Sequence, residues 1–228
     1  MMREKFHTIG GELMDFDNVN FNASQTEVEM AYGWEACMYW STFHHTELTF
    51  QPECSVKPGD IFVDLGSNIG MSSRYAERIG AKEIYAFEAD PVVYESLLMN
   101  KGINWKTYHK AITDHRGMLE IGLWPSLKEK ALVEAITLDD VFSICELDRI
   151  DFLKVDIEGS ERSCFNTITD DTLRKIDRIF VEWHNIKGIT ENSNTKLMEA
   201  FVNRINQAGF NGWIHGAAHQ SLLYFWKI

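Results

Sequence analysis

Apolar residues in this chain fall into short unbroken runs, each ending in a polar residue or a glycine-bearing turn and followed by a stretch of helical spacing. Residues 61–65, Ile61-Phe62-Val63-Asp64-Leu65, come after the turn signal Pro58-Gly59-Asp60. Their length and continuity predict a strand buried on both faces. Gly66 to Gly70 make a turn, and residues 71–79 continue as a helix that Gly80 closes. The alternation then repeats. A strand is predicted over 83–87, ending at Glu88-Ala89-Asp90-Pro91, and a helix runs through Val93, Leu97 and Leu98 to stop near Gly102. Strands follow over 105–112 and 118–123, a helix over 138–145, and strands over 152–157 and 176–183. Leu197, Met198, Phe201, Val202 and Ile205 mark an amphipathic helix closed by Gly209, and residues 213–214 and 222–228 read as two closing strands.

Ahead of this pattern, Ser24-Gln25-Thr26-Glu27 has the form of a capping box. Val28, Ala31, Trp34 and Met38 then predict a helix through about Tyr39, with Tyr32, Trp34, Tyr39 and Trp40 packing on the core. The whole predicts an α/β protein: a Rossmann-like, doubly wound, mostly parallel seven-stranded sheet with an antiparallel edge strand and an N-terminal helical extension.

Charge narrows the partners. The net charge of −12 disfavours a long polyanion, so nucleic acid is not the expected partner. Cys37, Cys54, Cys145 and Cys164 form no C-x-x-C pair and no zinc spacing, and read as buried thiols in a reducing compartment. The first residues carry no apolar leader core and no stretch is long enough to span a bilayer. A cytoplasmic location without membrane contact is expected.

In an open parallel sheet, ligands bind at the carboxyl ends of the strands, near the point where strand order reverses. Here those ends carry Asp64, Glu88, Asp156 with Glu158, and Glu182 with His184. The turn after Asp64 lacks two glycines of the dinucleotide fingerprint, having Asn68 and Met71 in their places, so it suits a nucleoside joined to an amino acid better than a pyrophosphate. Glu88 stands where an acid accepts both hydroxyls of an adenosine-type ribose, which does not by itself name the cofactor. Its competing role is to cap the helix after Pro91.

The ordered set of motifs resembles the FkbM-type class I methyltransferases. It opens with Val56-Lys57-Pro58-Gly59-Asp60 and Val63-Asp64-Leu65-Gly66-Ser67-Asn68-Ile69-Gly70, and continues through Phe87-Glu88-Ala89-Asp90-Pro91 and Lys110-Ala111-Ile112 with Gly117. Ile136-Thr137-Leu138-Asp139-Asp140 follows. The likeness is strongest at Leu153-Lys154-Val155-Asp156-Ile157-Glu158-Gly159-Ser160-Glu161 and ends at Val181-Glu182-Trp183-His184. One departure is Asp90, where many relatives have proline after a shorter spacer. The resemblance implies S-adenosylmethionine as cofactor, with Asp64, Gly66, Ser67, Asn68 and Gly70 beneath its methionine and sugar, Glu88 with Ala89 at the ribose, and Ala111 near the adenine. It divides the chain into residues 1–55, an extension suited to capping a substrate, and 56–228, the class I methyltransferase domain. It also implies O-methylation of a sugar or other small-molecule hydroxyl.

For an alcohol acceptor, orientation contributes about 7–11 kcal/mol. A general base adds about 10²–10⁴-fold. Asp156, Glu158, Glu182 and His184 are the candidate bases. No metal is required by this scheme, although the same acid–histidine group has the chemistry to take Mg²⁺ or Ca²⁺ as a lesser alternative. His44 and His45 are adjacent, do not share a face and read as structural. The competing functions are an RNA ribose 2'-O-methyltransferase, a nicotinamide oxidoreductase and a non-catalytic Rossmann-like binding protein. The acceptor pocket is expected to draw on the N-terminal segment and on residues 125–134 and 186–194.

Overall fold

Among the described residues, seven strands form the central sheet, in the order 211–217, 220–226, 176–184, 150–155, 61–65, 83–88 and 105–109. The computed structural model describes residues 5–9, 11–15, 42, 48, 51–123, 128–185, 188, 190–217 and 220–227. Among these, β1 (Lys5–His7) and β2 (Leu13–Asp15) pair as a hairpin, followed by β3 (Ile61–Leu65), α1 (Met71–Ile79), β4 (Glu83–Glu88), α2 (Pro91–Asn100) and β5 (Trp105–His109). A second, three-stranded sheet then forms from β6 (Ala111–Ile112), β7 (Gly117–Gly122) and β8 (Lys130–Ile136). The chain returns to the central sheet through α3 (Leu138–Ile144), β9 (Ile150–Val155), α4 (Glu161–Thr167), α5 (Asp170–Arg174) and β10 (Ile176–His184). It finishes with α6 (Glu191–Gln207), β11 (Asn211–Ala217) and β12 (Gln220–Trp226).

Strand β3 pairs in parallel with both β4 and β9, so the direction of winding reverses between β3 and β9. That is the switch point where a ligand cleft opens. The reversed strand is β12, antiparallel to β10 and to β11. It lies one place inside the edge rather than at it, because the hairpin β11–β12 folds its last strand back between β10 and β11.

The strands read as continuous apolar runs because both faces of the sheet are covered. Val63, Leu65, Phe87, Leu153, Val155, Ile179 and Val181 pack with Leu138 and Val141 of α3, Phe165 of α4 and Phe201 and Ile205 of α6. Phe62, Ile84, Ala86, Phe152 and Phe180 belong to a second cluster with Ala76 of α1 and Leu97 of α2. Thr137 and Asp140 form a reciprocal capping box on α3, and Arg116 grips the Asp140 carboxylate from Nε, 2.9 Å from each oxygen.

Three stretches take a form that the sequence reading did not give them. The single strand expected over 105–112 divides at Lys110, whose N–H bonds to the Glu88 carbonyl at 3.1 Å as the chain leaves the central sheet. Residues 130–134, expected in the acceptor pocket, lie in β8, paired antiparallel with β7. Their period of two is hidden because Leu132 is exposed while Val133 and Ala135 face inward, giving apolar residues on both sides. Residues 191–194, expected in the same pocket, form the first turn of α6.

In the N-terminal extension the described residues include the β1–β2 hairpin and a 3-10 turn at Pro52–Cys54, and the helix proposed over 24–39 lies outside the described residues, as do Cys37, His44, His45 and residues 124–127 and 186–187. Cys54, Cys145 and Cys164 are buried and free, and burial pushes the Cys54 thiol up to about 12. Among the described residues, no helix is long and apolar enough to cross a membrane.

Candidate active site

The turn from β3 into α1 is shaped by contacts beneath it. Gly66 and Ser67 both donate backbone N–H bonds to the Phe87 carbonyl, at 3.0 and 2.9 Å, tying the turn to β4. Gly66 has φ +79°, and a Cβ placed on it would lie 1.7 Å from the Asp156 carbonyl oxygen. The glycine therefore serves the close approach of β3 to the end of β9. Gly70, with φ +95°, begins α1, and a Cβ there would meet Leu97 and Trp105 at 2.9 Å. Between them Asn68 takes a left-handed φ of +51° and accepts the Ile69 N–H on its own side-chain oxygen at 2.7 Å.

Glu88 ends β4 directly beside this turn. Its Oε2 accepts the Asn68 N–H and its Oε1 the Asp90 N–H, both at 2.8 Å. Burial pushes its carboxyl up to about 7, against the N–H groups of Asp90, Asn68 and Ala89. The capping role that competed for Glu88 falls to Asp90, whose Oδ1 accepts the N–H groups of Val92 at 2.8 Å and Val93 at 3.3 Å, with Pro91 in the first turn. Of the roughly four lone-pair sites of the Glu88 carboxylate, its donors leave room for a further one. Ala89 packs against the cluster of Ala111, Val133 and Ala135, which places the two alanines of the expected cofactor set together.

Asp64 is fully buried beneath the turn. Its Oδ2 accepts from Ser73 Oγ at 2.7 Å, and Ser67 Oγ donates to its backbone carbonyl at 2.9 Å. Asp64 and Lys154 are cross-strand partners in the β3–β9 register, so their side chains share one face. Lys154 Nζ lies 3.3 Å from Asp64 Oδ1, an ion pair without an aligned hydrogen bond, and donates to the Gly66 carbonyl at 3.1 Å and to Asp156 Oδ2 at 3.2 Å. Burial opposes its charge, but Asp156, Asp64 and Glu182 hold the ammonium above its ordinary range. Lys154 has no role in the sequence reading. Its signal was a cation inside a mostly apolar, fully buried strand, which requires a buried anion as partner.

The remaining predicted residues meet at the ends of β9 and β10. His184 Nδ1 lies 3.0 Å from Glu161 Oε1, and its Nε2 lies 3.6 Å from Glu158 Oε2 and 3.8 Å from Glu182 Oε1. Glu158 is exposed and takes a left-handed φ of +53°, a conformation rare outside glycine. Burial opposes a charged imidazole, yet Glu161, Asp156 and Glu182 raise the His184 pKa to about 9. Donor atoms of Asp156, Glu158 and His184 lie within 4.8 Å of one another, close enough for one cation, but any ion there would share Asp156 with Lys154.

A raised histidine pKa stabilises the fold by an amount fully present below the ordinary value of 6.5 and lost as pH rises through about 9. The thermal stability of the wild type relative to His184→Asn is therefore expected to fall between those limits. Melting curves recorded across the range test this, and a constant difference would contradict it.

The model of the methyltransferase FkbM domain matches residues 64–211, more than half of the chain. The crystal structure of a methyltransferase FkbM from Methylobacillus flagellatus KT is similar, with a TM-score of 0.58 at 14% identity, over 90% of this chain and 56% of that one. At that identity the likeness is one of fold. A stretch of 52 residues, 23% of this chain, is 42% identical to a ribosomal protein L11 methyltransferase from Bacillus cytotoxicus and spans 17% of that protein. The counterpart from Bacillus cereus is 40% identical over the same length. The chain thus spans less than a fifth of the L11 methyltransferases it matches. The domain match carries the assignment: the chain belongs to the FkbM family of class I S-adenosylmethionine-dependent methyltransferases.

Proposed function

We propose that this protein transfers the methyl group of S-adenosylmethionine to a hydroxyl oxygen of a sugar or other small-molecule acceptor. The observation that carries the reading is the histidine–carboxylate corner formed by His184, Glu158 and Glu182, on the strands next to the cofactor-type turn. An aliphatic hydroxyl is a weak acid and needs such a proton acceptor in the transition state. The net charge of −12 supports a small acceptor over a nucleic acid, including ribose in RNA.

The residues present fit the cofactor by the chemistry of their donors and acceptors. Glu88 offers a carboxylate with acceptor capacity left over to a ribose hydroxyl, with the Asn68 turn beside it. Ala89 and Ala111 supply small apolar surface for a base. Asp64, Ser67, Gly66 and Gly70 act from below, holding the turn in shape. When bound, S-adenosylmethionine supplies an already activated methyl. The chain's part is to orient the acceptor oxygen, exclude water and take up the hydroxyl proton at one member of the group Asp156, Glu158, Glu182 and His184. Orientation is the larger contribution, about 7–11 kcal/mol against roughly 3–5 kcal/mol for the base.

Calorimetric titration with S-adenosylmethionine, S-adenosylhomocysteine and NAD tests the cofactor half of this reading. The first two are expected to bind and NAD is not. Loss of a charge-assisted hydrogen-bonding group costs about 1.5–3 kcal/mol, so Glu88→Ala should weaken both by about 10- to 150-fold. Because the free Glu88 carboxyl titrates near 7 and the ribose hydroxyl donates to the carboxylate, affinity should also rise as pH increases from 6 to 8. Binding of NAD alone, or affinity indifferent to Glu88, contradicts the assignment. Methyl transfer to a panel of glycans and small alcohols then tests the acceptor.

A further inference from the structure

The position of Glu161 gives the histidine corner a direction. Glu161 is the first residue of α4 and is nearly fully buried, at 1% exposure. Its Oε1 accepts the backbone N–H groups of Ile157 at 3.1 Å and Gly159 at 3.0 Å, and its Oε2 accepts Gly159 again at 3.1 Å. The left-handed residues Glu158 and Gly159 curl the chain back so that these N–H groups point at it. An ionised carboxylate is only an acceptor, so the ring nitrogen 3.0 Å from Oε1 must be the one that donates. That nitrogen is Nδ1. In the neutral imidazole, the form that prevails only as pH rises past about 9, the other nitrogen then carries the lone pair, and Nε2 is the atom facing Glu158 and Glu182.

We propose that Glu161 is a positioning residue: its buried carboxylate holds His184 as the Nδ1–H tautomer and thereby makes Nε2 the proton acceptor for the acceptor hydroxyl. This rests on the hydroxyl-methylation reading above and selects His184 from its four candidate bases. In the step, the oxygen–methyl bond forms as the methyl–sulfur bond breaks, the electron pair of the broken bond staying with sulfur, and the hydroxyl proton passes to Nε2. The imidazolium that results is held by Glu161 from α4, Glu158 from the turn before it, Asp156 from the end of β9 and Glu182 from β10. Lys154 stands against the same carboxylates and is the opposing positive charge of the corner. Glu161 touches neither acceptor nor cofactor in this scheme.

The test is histidine-labelled nitrogen NMR on the full chain, with the His184 signals assigned by their loss in His184→Asn. In the wild type at high pH, Nδ1 should show the protonated signature and Nε2 the lone-pair signature, with a titration midpoint well above 6.5. Glu161→Gln keeps an oxygen acceptor and should retain the tautomer with a lower midpoint. Glu161→Ala should give a tautomer mixture and a midpoint nearer 6.5. S-adenosylhomocysteine titrated into each variant shows whether the cofactor half of the functional reading holds, independently of the tautomer. An Nε2–H tautomer in the wild type, or signals unmoved by Glu161→Ala in a folded protein, overturns the proposal. So does displacement of the Nε2 signal by excess Mg²⁺ or Zn²⁺, which would make that nitrogen a metal ligand instead of a base.

Discussion

Replacing Lys154 with methionine is expected to destabilise the protein by about 3–5 kcal/mol, the cost of stranding a buried charge when its partner is removed. For a chain of this size that lowers the melting temperature by roughly 6–20 °C. Methionine fills similar volume and is apolar, so cavity formation contributes little. What is lost is the cation beside Asp64, which is fully buried, and the hydrogen bonds to Asp156 and the Gly66 carbonyl. The attribution can be checked with a second change. Asp64→Asn removes the stranded charge while leaving an oxygen for the Ser73 hydroxyl. The double variant should therefore be more stable than Lys154→Met alone. Denaturant unfolding of the three variants measures it, and a loss below about 1 kcal/mol for Lys154→Met would show the pair to be no stronger than an exposed salt bridge.

Gly66→Ala should be at least as damaging, by about 4 kcal/mol or more, in the range reserved for a few severe mechanisms. The new methyl would sit 1.7 Å from the Asp156 carbonyl oxygen and 2.8 Å from its carbon, and both belong to backbone fixed by β9. Part of any loss comes from the positive φ, which costs a residue with a Cβ roughly 1–2 kcal/mol. Gly159 separates the two contributions, since it has φ +103° with nothing within 4 Å of an added Cβ. Gly159→Ala should lose only the conformational part. Equal losses at the two positions in parallel unfolding curves would mean that the collision at Gly66 is relieved by movement of β3 away from β9.

Most of the central sheet is legible in the chain because its strands are buried on both faces and end at turns that glycine or proline marks. The meeting of Glu88 with the turn at 66–70 is legible for the same reason: they lie at consecutive strand ends, so sequence order already places them together. The network beneath them is not. Asp64 and Lys154 meet only because β9 inserts beside β3, a pairing set by strand order across 90 positions. Glu161 reads as an acid at the start of a helix, and its bond to His184 exists only once α4 packs near the end of β10. β8 escapes because its outward Leu132 disguises the alternation.

One contact has a consequence for the order of assembly. Asn100, the last residue of α2, accepts the His7 N–H at 2.6 Å and donates to the His7 carbonyl at 2.9 Å and to the Ile69 carbonyl at 2.8 Å. One side chain thus fastens the N-terminal hairpin to the turn that precedes α1. His7 and Asn100 are 93 positions apart, so no local preference can bring them together. Long closures of this kind add little to the equilibrium cost but slow folding, because the distant partner must exist first. The hairpin, although it comes first in the sequence, is therefore expected to dock only after α2 and the turn before α1 have formed.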